Sequence, residues 1–103
     1  MVNIKNNIMN LGQGIKEIRK KSGMNQDVFS KKINITQSYL SQIEKSRKFP
    51  NTDVLLRISK LTNTPLPILF WFTIEKEDVS ENKKESYDQL KPTIDNLIKT
   101  IFF

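Results

Sequence analysis

The sequence contains no cysteine and no histidine in its 103 residues. Without cysteine there is neither a disulfide nor a thiolate metal site. Without histidine the commonest general base and the commonest imidazole ligand are missing as well. No glycine-rich phosphate loop and no paired acidic motif occurs. The acidic residues Glu75, Glu77, Asp78 and Glu81 cluster, but their spacing does not fit a calcium loop. Catalysis, a metal and a cofactor are therefore not expected. The longest dense apolar stretch, Leu66 to Phe72, contains Pro67 and is far too short to cross a bilayer. Met1 to Asn10 is polar and lacks the apolar segment of a secretory leader. An intracellular, cytoplasmic protein without a membrane partner is expected. The length leaves room for one compact domain plus an appendage.

The net charge of +6 is unevenly spread: residues 1–74 carry +8 and residues 75–103 carry −2. A basic compact segment suggests a polyanion partner, nucleic acid first. Charge kept only for solubility explains the same count, so other features must decide.

Apolar residues in the front segment recur at helical spacing. Leu11, Ile15 and Ile18 predict a helix from about Asn10 to Ser22, with Gly23 suited to the left-handed position after it. Asn25 is a good N-cap for a second helix, Gln26 to Ile33, with Val28, Phe29 and Ile33 inward. Asn34, a residue that tolerates the left-handed region, interrupts the pattern. Thr36 then caps a third helix running to Lys45 and burying Leu40 and Ile43. Two short helices joined by a tight turn make the layout of a helix-turn-helix. Phe49-Pro50 forces an extended stretch. Asn51 caps a fourth helix with Val54, Leu55, Ile58 and Leu61 as its apolar positions. Thr64-Pro65 reads as N-cap plus N1 proline of a fifth helix, through Phe72. No hairpin signal and no strand-like alternation appears, so the fold is expected to be all-α.

The tail reads differently. Glu75 to Glu85 is charged and nearly free of apolar residues, a linker or an exposed helix start that Ser80 can cap. Tyr87, Leu90, Ile94, Leu97 and Ile101 then step by three and four, a heptad-like seam of about two heptads. Pro92 sits inside it and is expected to kink that helix or to start a new one.

Four segments carry a resemblance. They are Leu11-Gly12-Gln13-Gly14-Ile15-Lys16-Glu17-Ile18-Arg19, Met24-Asn25-Gln26-Asp27-Val28-Phe29-Ser30, Ile35-Thr36-Gln37-Ser38-Tyr39-Leu40-Ser41-Gln42-Ile43-Glu44 and Arg47-Lys48-Phe49-Pro50-Asn51. In this order and spacing, Leu11 to Trp71 resembles the phage-repressor and Cro family of helix-turn-helix regulators. Asn34 and Ser46 stand where that family often has glycine. The resemblance implies a compact five-helix repressor-like helix-turn-helix domain over 1–74. Residues 75–103 form a charged linker and an amphipathic C-terminal helix outside it.

What the resemblance implies for single residues agrees with their chemistry. The third helix buries one face and leaves Thr36, Gln37, Ser38, Ser41 and Gln42 outward. Glutamine can bond adenine in the major groove through two hydrogen bonds, and serine and threonine reach bases or phosphates. Gln37, Ser38 and Gln42 are the foremost base readers, with Thr36 and Ser41 beside them. Gln26 matches the family's phosphate-binding glutamine at a helix start. Lys45, Arg47 and Lys48 are placed to hold the flanking backbone, and Tyr39 reaches a phosphate or a thymine methyl. Each of these residues also reads as an ordinary solvated one when taken alone. Arg19 and Glu44 occupy positions that form an ion pair in the family, a structural role.

Double-stranded DNA is thus the expected partner, and transcription regulation the expected function. Phe70 is expected to close the core, while Trp71 or Phe72 is left for a partner. The tail seam either folds back or pairs with a second copy. A homodimer is favoured, since such regulators read two half-sites. Trp71, Phe72, Leu90, Ile94, Leu97 and Ile101 are its candidate interface. The alternative is an antitoxin-like module whose tail binds a partner protein and whose DNA binding is autoregulatory.

Overall fold

Polar side chains open the first four helices. Asn10 accepts from the Gln13 N–H at 2.9 Å, and the Gln13 side chain accepts from the Asn10 N–H at 3.1 Å, starting α1 (Leu11–Lys21). Asn25 accepts from Val28 N–H at the start of α2 (Gln26–Lys32). Thr36 accepts from Tyr39 N–H at the start of α3 (Gln37–Glu44). Asn51 accepts from Val54 N–H at the start of α4 (Thr52–Thr62). Each such bond satisfies a donor that the helix itself leaves free. Left-handed residues close the same helices: Gly23 (φ 73°), Asn34 (58°), Ser46 (61°) and Asn63 (52°).

These coordinates are a computed structural model that describes residues 9–103. The leaderless reading of Met1–Asn10 and the start of the 1–74 unit lie, for positions 1–8, outside the described residues. Among the described residues there is no strand, and no helix is long and apolar enough to cross a membrane.

The core is built from one stripe of each helix. Ile15 and Ile18 of α1 and Phe29 of α2 meet Ile33, Leu40 and Ile43 around α3. Val54, Leu55 and Ile58 of α4 and Leu69 of α5 (Leu66–Trp71) complete it. Fully burying a side chain of this size contributes about 1.5–3 kcal/mol, so this cluster dominates the stability. Val28, expected inward, is 40% exposed. In a seven-residue helix the stripe through Phe29 and Ile33 is narrow, and Val28 falls one position off it. The expected cap at Thr64 also shifts. Pro65 is the cap residue and Leu66 opens α5, while Thr64 is buried and its carbonyl accepts from the Ser59 hydroxyl at 2.6 Å.

The tail folds back. Two 3-10 turns, Lys76–Asp78 and Glu81–Lys83, lead into α6 (Lys84–Phe102). Pro92 neither ends this helix nor starts a new one; it lies inside a continuous α6. Proline removes only one helical hydrogen bond, and neighbouring residues are anchored by the docking below. Tyr87 donates to the Ile74 carbonyl at 3.0 Å, and burial, with Asp95 nearby, pushes its phenol above the ordinary value.

The docked face of α6 is ionic. Lys91 and Asp95 are 2% and 1% exposed. Lys91 Nζ donates to both Asp95 oxygens at 2.8 and 3.0 Å and to the Met9 carbonyl at 3.3 Å. Asp95 also accepts from the Met9 N–H at 3.0 Å and from Trp71 Nε1 at 2.7 Å. The ammonium stands 5.1 Å from the Trp71 ring centre. A buried ion pair of this kind fixes geometry more than it stabilises, because desolvation offsets its attraction. Phe72 is 2% exposed and its ring lies 5.9 Å from Phe103, so Phe72 belongs to this chain's own core and is not free for a partner. Phe70, expected in the core, is exposed instead. The six-residue α5 turns Leu69 and Phe72 inward together, three positions apart, which leaves Phe70 on the far side. Leu90, Leu97 and Ile101 point away from the domain, and Ile94 is half-buried.

Candidate nucleic-acid interface

The outward face of α3 follows from what its inward face buries. Leu40, Ile43 and Glu44 turn inside. That leaves Gln37 and Ser38 exposed, with Ser41 and Gln42 half-buried one turn on. Together with Gln26, Lys45 and Arg47 these four line one shallow concavity. Its lining offers amides, hydroxyls and two cations, donors and acceptors of the kind that bond base edges and phosphates. Thr36 is exposed at the helix start, outside the concavity, where its oxygen serves as cap acceptor.

The loop after α3 is held by its backbone. The N–H groups of Arg47 and Lys48 both donate to the Gln42 carbonyl, at 2.9 and 3.3 Å. This is the reversal that Ser46, at φ 61°, makes possible. Lys45, Arg47 and Lys48 are all exposed. The Lys48 ammonium lies 6.0 Å from the centre of the Tyr39 ring, and Tyr39 is half-buried against the core. Lys48 and Tyr39 therefore meet each other outside the set of residues that line the concavity.

Beneath this face Arg19 and Glu44 meet. Arg19 Nε donates to Glu44 Oε2 at 2.7 Å and Nη2 to Oε1 at 3.0 Å. The remaining guanidinium nitrogen, Nη1, donates to the Met24 carbonyl at 2.9 Å. The pair ties α1 to the end of α3, and Met24 ties it to the start of α2. Arg57 of α4 donates to the Ile33 carbonyl at 3.1 Å and so holds the turn between α2 and α3. That contact has no signal in the sequence, because Arg57 is one basic residue on an otherwise ordinary amphipathic helix. Gln26 is less free than a solvent-facing contact would be: its Nε2 donates to Glu44 Oε1 at 3.1 Å.

The candidate dimer residues do not form one surface. Leu90, Leu97 and Ile101 share the outer side of α6, while Trp71 and Phe72 lie at its docked side. The buried pair Lys91 and Asp95 escaped sequence reasoning. Opposite charges four apart on a helix ordinarily read as a solvated pair.

Comparisons with known proteins agree with this architecture. The family model described as helix-turn-helix matches residues 15–69. The chain is 37% identical to the HTH-type transcriptional regulator ImmR of Bacillus subtilis (strain 168) over 93 residues, 90% of this chain and 68% of that protein. It is 39% identical to the ImmF control region 10 kDa protein of Bacillus phage phi105, over 57% of this chain and 66% of that protein. It is 34% identical to the immunity repressor protein of the same phage, over 81% of this chain and 59% of the repressor. The chain thus spans about two thirds or less of the length of these relatives. No solved structure matches. With its sequence match extending over more than half its length, the chain belongs to the helix-turn-helix family of phage-repressor-like regulators, DNA-binding proteins that control transcription and are not enzymes.

Proposed function

We propose that the protein binds double-stranded DNA sequence-specifically, laying Thr36 to Lys45 in the major groove. The observation that carries this reading is the concavity itself: Gln37, Ser38, Ser41 and Gln42 open on one face, with Gln26, Lys45 and Arg47 at their side. Gln37, Ser38 and Gln42 read base edges, with Thr36 and Ser41 adding contacts near the helix start and middle. Gln26, Lys45, Arg47, Lys48 and Tyr39 hold phosphates, and those contacts set affinity without carrying sequence information. Repression is the sign we assign, because one relative is named an immunity repressor. The protein acts in the cytoplasm.

The working unit is a homodimer, each copy reading one half-site. Support for this comes from the outer side of α6, where Leu90, Leu97 and Ile101 stand 55%, 55% and 69% exposed at heptad-like spacing. A second copy of the same helix covers such a seam.

The test is selection of bound duplexes from a random library, with the wild type beside a Gln37→Ala, Gln42→Ala double variant. The wild type is expected to enrich an inverted repeat. The variant is expected to relax that sequence while keeping non-specific binding. Enrichment of no sequence by the wild type, even at low salt, would refute the reading.

A further inference from the structure

We infer that Glu44 is a positioning residue of the DNA face, orienting Gln26 for its phosphate contact as well as bracing α1 against α3. This rests on the proposed role of Gln26 as a phosphate ligand. A glutamine amide has two ends, a carbonyl that a phosphate repels and an NH2 that it attracts. Nothing in a solvated glutamine chooses between them. Glu44 does choose, because a carboxylate can only accept. Its Oε1 takes one hydrogen of Gln26 Nε2 at 3.1 Å. The amide is then fixed with its NH2 on the buried carboxylate and its second hydrogen uncommitted, in a side chain that lines the same concavity as Gln37 and Gln42.

Glu44 can serve as a reference point because it is fixed in turn. It is 6% exposed, and Arg19 holds both of its oxygens in the parallel geometry that suits guanidinium and carboxylate. Arg19 also balances its charge, so the carboxylate beneath the DNA face is not a bare anion facing a polyanion. The third Arg19 contact, to the Met24 carbonyl, sets the guanidinium against the segment that leads into Gln26. A relay of Arg19, Glu44 and Gln26 thus joins three helices to one donor.

A double-mutant cycle between Glu44→Gln and Gln26→Ala tests this, with a labelled random-sequence duplex at low salt as probe, since a phosphate contact does not depend on sequence. In Glu44→Gln three donors, Arg19 Nε, Arg19 Nη2 and Gln26 Nε2, converge on one remaining oxygen, and the hold on the Gln26 amide loses the carboxylate's charge. Gln26→Ala is expected to weaken binding about tenfold, as loss of a hydrogen bond to a charged group does. Glu44→Gln is expected to weaken it about fivefold in the wild type, but less than about twofold once Gln26 is alanine. The nuclear magnetic resonance signals of the Gln26 side-chain NH2 should shift and broaden in Glu44→Gln, a change that mere bracing does not require. Arg19→Lys keeps Glu44 paired but withdraws the two parallel bonds, and gives the same cycle if Glu44→Gln does not fold. Losses that simply add in the double variant would show that Glu44 only braces, and would overturn the inference while leaving Gln26 a contact. No loss in Gln26→Ala would remove the phosphate role itself, and the inference with it.

Discussion

Gly12 of α1 lies so near the end of α3 that a β-carbon on it would overlap the Ile43 carbonyl oxygen and stand 2.7 Å from Ser46 Oγ. The obstacle is backbone, which cannot swing aside. Gly12→Ala is therefore expected to push α1 off α3 and to destabilise the fold by about 1–3 kcal/mol, the range of overpacked cores. Thermal unfolding followed by circular dichroism checks this. An unchanged melting temperature would mean that the two helices do not approach so closely in solution.

Asn34 and Ser46, the two departures from glycine that the family resemblance carries, both stand left-handed. Ser46, at φ 61°, carries the strain that a β-carbon brings to that region, about 1–2 kcal/mol. Asn34, at φ 58°, carries less, since asparagine visits it readily. Ser46→Gly is expected to raise the melting temperature by a few degrees, roughly what 1 kcal/mol gives in a domain of this size. Asn34→Gly is expected to change it little. The reverse order in paired melting curves would contradict the assigned loop geometry.

Arg47 and Lys48 follow α3 as exposed cations. If each neutralises one phosphate, each alanine substitution lowers the slope of log affinity against log salt by about 1. Gln26→Ala, which removes no charge, is expected to leave the slope unchanged. Titrations of one duplex at several salt concentrations separate the two behaviours.

The part of the fold that repeats a physical rule was readable in advance. Asn25, Thr36 and Asn51 are short polar residues just before apolar periods, and each caps a helix. Leu40 and Ile43 lie three apart and bury the same face of α3. The α3 face was readable for the same reason: what is not buried must face out. Val28 was misplaced because a seven-residue helix is too short for its apolar residues to declare which stripe is inward. The Phe70-Trp71-Phe72 run defeated sequence reasoning because the rotation of so short an element is set by its neighbours. Here those neighbours are Gly14, whose missing side chain makes room for the Phe72 ring, and Phe103, which covers it. Lys91 and Asp95 gave no warning because their burial depends on Met9 and Trp71, far away in the sequence.

Asp95 is the acceptor that holds this docking together. Asp95→Ala strands the buried Lys91 ammonium, the Met9 N–H and the Trp71 indole N–H at once. Breaking one side of a buried pair costs about 3–5 kcal/mol. Trp71 is the chain's single tryptophan, so its fluorescence reports the site directly. Asp95→Ala is expected to lower stability by that amount and to shift Trp71 emission to the red. Adding Lys91→Met is expected to recover part of the loss, because no unpaired charge then remains. Unchanged emission in Asp95→Ala would show that α6 does not dock on Trp71.

Truncation after Ile74 confuses dimerisation with stability, since it also uncovers Phe72. Leu97→Glu is the cleaner probe, for Leu97 is 55% exposed on the outer side of α6. It is expected to shift sedimentation from dimer to monomer and to weaken binding to a two-half-site duplex, with the melting of the monomer nearly unchanged. A wild type that sediments as a monomer at working concentrations would sink the dimer assignment.

The bond between Met9 and Asp95 spans 86 positions of the chain. A contact so distant in sequence has consequences for the order in which the molecule is made. As the ribosome extends the chain, α1 to α5 can assemble from largely local contacts, which form early and quickly. Trp71 and Phe72 lack the cover of α6 during that interval, and the backbone at Met9 lacks Lys91 and Asp95. Only when residues 91 to 95 have been synthesised can the two ends of the described chain be joined. The nascent protein therefore carries an aromatic patch in waiting, the kind of surface that chaperones and unwanted neighbours both find. A ribosome stalled before α6 would hold a chain whose α3 face is already formed and whose core is still open.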